Sequence, residues 1–145
     1  MLLIPLFFPV SQVEIRNYET GKVIFRTPIE EGDILELSWI HSIEKTPWLE
    51  RYQAEDDRWI LKEVRVKSFG AGVDVEAPVV EVKDGWTVMR EMNRSFRQLR
   101  FLYSRNVNYT MYINGLSVDL TGQIPHHTPV DVRIRKIPRI IAVMK

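Results

Sequence analysis

The sequence contains no cysteine, and this removes several kinds of chemistry together. Without a thiol there is no disulfide, no cysteine nucleophile, no zinc ribbon and no iron–sulfur site. The P-loop, the Gly-x-Gly-x-x-Gly turn and the His-Glu-x-x-His pair are also missing from the sequence. The usual nucleotide-binding and zinc-hydrolase functions therefore have no support.

A surplus of one charge is lacking as well. Lysine and arginine total 20 and the acids total 19, so the formal net charge is +1. A general nucleic-acid binder needs clustered positive charge to displace counterions from phosphates, so nucleic acid is not a predicted partner. The basic residues Arg133, Arg135 and Lys136 lie among Val132, Ile134 and Ile137, and are interpreted as the solvated face of a strand.

No apolar run is long enough to span a bilayer, which takes about 20 residues. The apolar segment 1–10 is too short, and it has neither a basic n-region nor a small-residue cleavage site. It is either the remnant of an export signal or membrane anchor, or a buried first strand interrupted by Pro5 and Pro9. Residues 11–145 are predicted to form a single β domain, since this length suits one domain.

The sequence does have many short runs with period two, separated by turn residues. About ten such runs predict an all-β fold, namely a single-domain antiparallel sandwich or barrel. Asp84-Gly85 and Asn114-Gly115 predict two tight hairpins. Asn93–Leu99 is predicted as the one short helical turn, and Ile140–Val143 as a short edge strand. In the run Ile34–Ile43, one face carries Leu35, Leu37, Trp39, His41 and Ile43.

Antiparallel pairing predicts that two distant segments meet at one edge of the sheet. If Asp56-Asp57 turns the chain between strands four and five, position 48 lies near 65 and position 45 near 68. The segments His41–Glu50 and Ser68–Gly72 then converge. The candidate binding residues at this edge are His41, Ser42, Glu44, Pro47, Trp48, Glu50, Phe69, Gly70 and Gly72.

Several chemistries are open to this edge. The glycines could present backbone N–H groups to an anion or carboxylate, or they could simply turn the chain between two sheets. His41, Glu44 and Glu50 could bind a divalent metal, which would give a metal-binding protein or a metal-assisted enzyme. A histidine on an apolar face is more typical of a hydrogen-bonded core residue, however. No catalytic residue is predicted: His41 and Ser42 are strand neighbours and point apart, and no acid is placed to orient the histidine. No cofactor is predicted either.

The four tryptophans all fall on predicted strands. A row of aromatic rings could bind sugars or bases by stacking. Filling the core between two sheets is the more typical role for such residues.

The motif of this edge resembles the DUF1850 family of uncharacterised prokaryotic proteins. The family pattern runs approximately His-Ser-Val-Glu-x-x-Pro, then a hydrophobic residue and Glu, followed further on by Phe-Gly-Ala-Gly. This sequence has His41-Ser42-Ile43-Glu44 with Pro47 and Glu50, and later Phe69-Gly70-Ala71-Gly72. Ile43 stands for the valine of the pattern. The resemblance covers about residues 13 to 90 well and the last third loosely.

The resemblance implies a setting rather than a mechanism. Family members often begin with an export signal or anchor, which favours the remnant interpretation of segment 1–10. They are often encoded beside, or fused to, TRAP transporters of the TAXI type. We therefore expect a non-enzymatic, extracytoplasmic or membrane-associated accessory domain that binds a transporter subunit or a small solute. A cytoplasmic location is the alternative, since the chain has no cysteine for lipidation and no intact signal. The family supplies no established binding residues to carry over.

Overall fold

The computed structural model describes residues 8–67 and 76–144. These residues form eleven strands, one turn of 3₁₀ helix at Arg105–Val107 and one short α-helix, α1, at Arg139–Val143. The strands are β1 Pro9–Asn17, β2 Val23–Pro28, β3 Ile34–Ile40, β4 Pro47–Glu55, β5 Arg58–Val66, β6 Val79–Lys83, β7 Trp86–Phe96, β8 Gln98–Tyr103, β9 Thr110–Ile113, β10 Leu116–Val118 and β11 Thr128–Pro138. The predicted all-β class is confirmed.

The strands form two antiparallel sheets. Sheet A has the order β2-β1-β11-β8, and sheet B has the order β10-β9-β3-β4-β5-β7-β6. The fold is therefore a sandwich and not a closed barrel. The chain passes from sheet B to sheet A at Arg97, between β7 and β8, so β8 forms an edge of sheet A directly beside this corner.

The core lies between the two sheets. Period-two alternation sends Val13 and Ile15 inward from β1, and Leu35 and Leu37 inward from β3, and all four are buried. Burying a side chain of this kind contributes about 1.5–3 kcal/mol. The Trp59 indole N–H also crosses the core and donates to the carbonyl of Val132, with 3.3 Å between nitrogen and oxygen.

The two predicted hairpins are confirmed. The β6–β7 turn has Asp84 at φ 53° and Gly85 at φ 76°, and the β9–β10 turn has Asn114 at φ 49° and Gly115 at φ 76°. Two successive positive φ values are those of the tight hairpin turn that matches the twist of a sheet. Asn and Gly tolerate them, which explains why these dipeptides predicted the turns.

The predicted helical turn at Asn93–Leu99 is wrong, because β7 continues to Phe96 and β8 begins at Gln98. Glu91 and Asn93 have φ values of 57° and 47°, and the pairing of β5 with β7 shifts in register nearby. A bulge of this kind interrupts the alternation of side chains without ending the strand.

The predicted edge strand at Ile140–Val143 is also wrong, since these residues belong to α1. Pro138 ends the ladder because it has no N–H to donate, and it immediately precedes the first helical residue. A short apolar run does not distinguish a strand from a helical turn.

At the other terminus, β1 begins at Pro9, earlier than the strand predicted from Val13, and Pro9 pairs with Pro138. Residues 1–7 lie outside the described residues. In the part of the chain that the structure describes, no helix is long and apolar enough to cross a membrane.

Candidate functional site

Strands β3 and β4 place the candidate site on the inner face of sheet B. Their antiparallel register sets Trp39 opposite Trp48 and Leu37 opposite Glu50. Since side chains alternate, Trp48, Glu50 and Tyr52 all point to the same side as the core residue Leu37. Glu50 is thus a carboxylate on a face that is otherwise apolar.

A turn between these strands carries the histidine of the motif. β3 ends at Ile40, and the turn is closed by two backbone hydrogen bonds of 2.9 Å between His41 and residues Thr46 and Lys45. The Glu44 N–H donates to His41 Nδ1 at 3.3 Å, so the hydrogen of a neutral His41 ring lies on Nε2. Ile43 was predicted to share the inner face of a longer strand; this is wrong, because it lies in the turn and is 78% exposed.

A row of aromatic rings runs from this turn towards sheet A. The ring of His41 stacks on Trp48, with 5.8 Å between centroids, and Trp48 stacks on Trp39 at 5.9 Å. Tyr109 continues the row, at 5.7 Å from Trp39 and 4.8 Å from Phe101 of β8. Offset pairs at these separations are the favoured geometry of aromatic contacts.

Two adjoining cavities follow this row, and we call them together the aromatic cleft. The first, of about 340 Å³, is lined by Trp39, His41, Ser42, Trp48, Leu102, Ser104, Val107 and Tyr109. The second, of about 410 Å³, is lined by Leu37, Trp39, Glu50, Tyr52, Leu61, Arg94, Phe96, Gln98, Leu99, Arg100, Phe101 and Tyr109. Trp39 and Tyr109 belong to both linings, and β8 forms one wall.

Glu50 is held in the cleft by two neutral donors. Its Oε1 accepts the Trp48 indole N–H at 3.1 Å, and its Oε2 accepts the Tyr52 hydroxyl at 2.5 Å. Burial raises the pKa of Glu50, while the hydrogen bonds from Tyr52 and Trp48 act in the opposite direction. The desolvation of the carboxylate prevails over the two hydrogen bonds.

The charge of Glu50 also affects the phenols around it. Burial raises the pKa of Tyr52, and the Glu50 charge and hydrogen bond raise it further. Burial raises the pKa of Tyr109, and the Glu50 charge adds to this. Both hydroxyls are therefore protonated at physiological pH; the Tyr52 hydrogen is donated to Glu50, and Tyr109 retains its own as a donor.

The structure brings together only part of the predicted residue set. His41, Ser42, Trp48 and Glu50 line the aromatic cleft. Pro47 begins β4 and pairs with Ile40. The side chain of Glu44 is half-buried in the turn. Neither of these two residues is among the described residues that line the cleft.

The glycine-rich half of the prediction, Ser68–Gly72 with Phe69, Gly70 and Gly72, lies outside the described residues. Its described neighbour fits the predicted pairing, because Val66 at the end of β5 pairs with Trp48. The sequence predicted position 65, not position 66, as the partner of Trp48. The pairing moves by one residue because β4 and β5 shift in register between Arg51 and Tyr52.

The sequence did not identify Tyr52, Phe101 and Tyr109 as site residues. Tyr52 lies two residues after Glu50 and four after Trp48 along β4, so the alternation of side chains could have predicted that it lies on the same face. Phe101 and Tyr109 reach the cleft from sheet A and from the segment before β9. Their position depends on how the two sheets pack, and no local pattern encodes this.

The described residues contain no group of three or more His, Cys, Asp or Glu side chains that could hold a metal ion. Each carboxylate oxygen of Glu50 already accepts a hydrogen bond, one from Trp48 and one from Tyr52. His41 Nδ1 likewise accepts the Glu44 N–H. Metal binding by His41, Glu44 and Glu50 stays a prediction with no geometric support.

The raised pKa of Glu50 gives a testable pH dependence of stability. Because the folded state holds the proton of Glu50 more tightly than the unfolded state does, stability falls as pH rises from the unfolded pKa through the folded one. Glu50→Gln removes this titration. We expect the unfolding free energy of the variant, relative to wild type, to rise between about pH 4 and pH 8, in urea titrations at fixed ionic strength.

Glu36→Gln is the matched control for that measurement, because Glu36 lies on the adjacent strand, where it pairs with Arg51. It should not show the same rise. A flat difference between Glu50→Gln and wild type across this pH range would contradict the assignment of Glu50 as a desolvated carboxylate.

Comparison with known proteins gives one match. The family model described as "Domain of unknown function (DUF1850)" matches residues 35–120, which include β3, β4 and Tyr109. No curated protein and no solved structure matches the chain.

Proposed function

From the premise that the chain belongs to the DUF1850 family, we propose that it is a non-enzymatic accessory domain that binds a small solute in the aromatic cleft. Its proposed setting is the outer side of the cytoplasmic membrane, beside a TRAP-type transporter. The location and the partner come from what the family resemblance implies. The binding site comes from the geometry of the cleft.

The single observation that carries the proposal is the cleft itself. Its cavities of about 340 and 410 Å³ have the size of a small-molecule site, for which about 300–1,000 Å³ is usual. Such sites combine mostly apolar walls with a few polar groups that fix orientation. Here Trp39, Phe101 and Tyr109 supply the aromatic wall and Glu50 supplies the polar group.

The hydrogen bonding of the cleft supports recognition rather than catalysis. Glu50 is fixed by Trp48 and Tyr52, and His41 is fixed by the Glu44 N–H. Polar groups that hold one another in place are preorganised for a ligand, and this lowers the entropy lost on binding.

A second feature supports a position at a membrane. The exposed apolar side chains of one end are Phe8, Ile140, Ile141, Val143 and Met144. They are gathered there because the Arg139 N–H donates to the Phe8 carbonyl at 3.1 Å and so holds α1 beside the start of β1. Large exposed apolar side chains near one another are typical of a protein or membrane interaction site.

A screen of small solutes by NMR tests the binding proposal. The purified chain, labelled with ¹⁵N, is titrated with amines, amino acids, organic acids, sugars and neutral aromatic compounds. We expect at least one class to shift the indole N–H signals of Trp39 and Trp48. Trp39→Ala should weaken that binding roughly tenfold or more, because one aromatic contact contributes on the order of 1 kcal/mol or more beyond the area it buries.

Trp86→Ala is the matched control, since Trp86 lies on β7 with Lys67 over its ring and outside the cleft. It should leave the affinity unchanged. If no compound shifts the indole N–H signals of Trp39 and Trp48, or if Trp39→Ala binds as well as wild type, the cleft is not a solute site.

Capture of TRAP subunits from detergent-solubilised native membranes tests the proposed partner. Recovery of no such subunit would remove the transporter from the proposal.

A further inference from the structure

The buried acids among the described residues are all paired with arginines. In the part of the chain that the structure describes, three acids are buried and each forms an ion pair with arginine: Asp131 with Arg16 and Arg133, Glu14 with Arg26, and Glu63 with Arg65 and Arg90. A buried carboxylate needs such a partner, because desolvation of an unpaired charge is costly.

Glu50 differs from these three acids, because it is half-buried and has only neutral partners for its carboxylate within the described ranges 8–67 and 76–144. It lies on the inner face of sheet B and forms no ion pair with any residue of those ranges, although the carboxylates of Glu14 and Glu63 do. Its partners are the neutral donors Trp48 and Tyr52. Among the described residues, no cation forms an ion pair with this carboxylate, which lines a cavity of about 410 Å³.

The walls around this carboxylate suit a positive charge. The described residues that line the same cavity include the rings of Trp39, Phe101 and Tyr109. The face of an aromatic ring attracts an ammonium group, and the attraction is stronger when the group is desolvated. A carboxylate with several rings beside it is the combination that recognises organic cations.

We propose that the solute of the aromatic cleft is an organic cation whose ammonium group lies between the Glu50 carboxylate and the rings of Trp39 and Tyr109. This inference rests on the proposed function, and it narrows the ligand to one chemical class. The ligand would supply the counter-charge that arginine supplies to the other three buried acids.

Two arginines also line the cavity, but they are placed at its rim. Arg94 and Arg100 are both exposed. The Arg94 guanidinium donates to the Glu76 carbonyl at 3.4 Å, and the Arg100 guanidinium lies 4.9 Å from the ring centroid of Tyr18. Water screens these exposed charges, whereas the half-buried charge of Glu50 is screened less.

The test compares cations with neutral molecules of the same shape. Choline is paired with 3,3-dimethyl-1-butanol, and phenethylammonium with 2-phenylethanol, each titrated into the full chain at pH 8 and constant ionic strength. The readout is the Trp48 indole N–H signal, since that group donates to Glu50. We expect at least one cation to bind ten times or more tighter than its neutral counterpart.

Glu50→Gln and Glu36→Gln complete the experiment. Glu50→Gln should weaken cation binding at least tenfold and change neutral binding less than threefold, while Glu36→Gln should change neither. If Glu50→Gln is unfolded, its NMR signals will lose their dispersion. In that case Tyr52→Phe, which removes one donor to Glu50, replaces it in the test. This variant should change the affinity for the cation but not the affinity for its neutral counterpart.

The outcomes separate this inference from the proposal on which it rests. If the neutral members bind as tightly as the cations, or if only organic acids bind, the cleft is a solute site but the cation inference is wrong. If none of the four probes and no compound of the solute screen perturbs the cleft, both are wrong. Cation binding that survives Glu50→Gln unchanged would overturn the role of the carboxylate alone.

Discussion

Replacement of Trp59 by alanine is expected to lower the free energy of unfolding by about 3–5 kcal/mol, the usual cost of removing a large buried aromatic side chain. Trp59 is fully buried on β5, and its indole N–H reaches across the core to the Val132 carbonyl of β11. The change opens a cavity between the sheets and removes this hydrogen bond. Since domains are stable by about 5–15 kcal/mol, the loss is a large share of the total.

Urea denaturation followed by far-ultraviolet circular dichroism measures this effect without relying on tryptophan fluorescence. Trp59→Phe keeps part of the ring but not the donor, and should cost about 1–3 kcal/mol. Trp86→Ala is the second control, because Trp86 is half-buried at the start of β7, and it should cost about 1 kcal/mol or less. Equal losses for the two alanine variants would contradict the central role of Trp59.

The parts of the fold that the sequence predicted are those with a local physical signal. Asp84-Gly85 and Asn114-Gly115 predicted their hairpins because few other dipeptides accept two positive φ values. Alternation along Ile34–Ile40 predicted the inner face of β3 because a half-buried strand must separate apolar from polar side chains. Both signals are contained within a few residues.

The errors arose where tertiary structure overrides the local pattern. The bulge at Glu91 and Asn93 breaks the alternation of side chains along β7. The sequence of this part of the strand therefore resembled a helical turn. The helical conformation of α1 follows from Pro138, which ends the ladder, whereas the apolar run after it resembles an edge strand. In each case the alternation was disturbed or too short to define the element.

The candidate site was predictable only to the extent that it lies on one hairpin. Pairing of β4 with β5 correctly brought Trp48 to the end of β5, and the parity of β4 put Trp48 and Glu50 on one face. The sequence could not show that this face is covered incompletely by sheet A, with β8 as the edge. That depends on the packing of the whole sandwich and creates the cleft.

The contrast between the two faces links stability to the proposed function. On the outer face of sheet A, acids are paired by arginines of the same chain. On the inner face of sheet B, Glu50 has only neutral donors among the described residues, and its burial raises its pKa, so its ionisation is less favourable in the folded than in the unfolded state. Binding sites commonly retain such a locally unfavourable group because the ligand later satisfies it.

Replacement of Asp131 by alanine is therefore expected to be costly, by about 3 kcal/mol. Asp131 has no exposed surface and accepts hydrogen bonds from Arg16 and Arg133, the shortest of them 2.8 Å. Its removal leaves two guanidinium groups, whose side chains are 22% and 21% exposed, without their shared acceptor. Their partial exposure places the expected cost at the low end for a broken buried pair.

Thermal unfolding gives the measurement, with an expected fall in Tm of about 10 °C for a domain of this size. Asp131→Asn keeps one acceptor oxygen and should cost less than Asp131→Ala, while Asp57→Ala, at an exposed turn position, should stay within about 0.5 kcal/mol of wild type. The opposite order for Asn and Ala would contradict the role of the carboxylate as a hydrogen-bond acceptor at this position. The Asp131 side chain lies on the outer face of sheet A, whereas the cleft lies against the inner face, although Asp131 pairs with Arg100 of β8. The variant that remains folded at low temperature should therefore bind solute as wild type does. Loss of solute binding in that folded variant would instead couple the arginine-paired face to the cleft, and the two faces would no longer be independent.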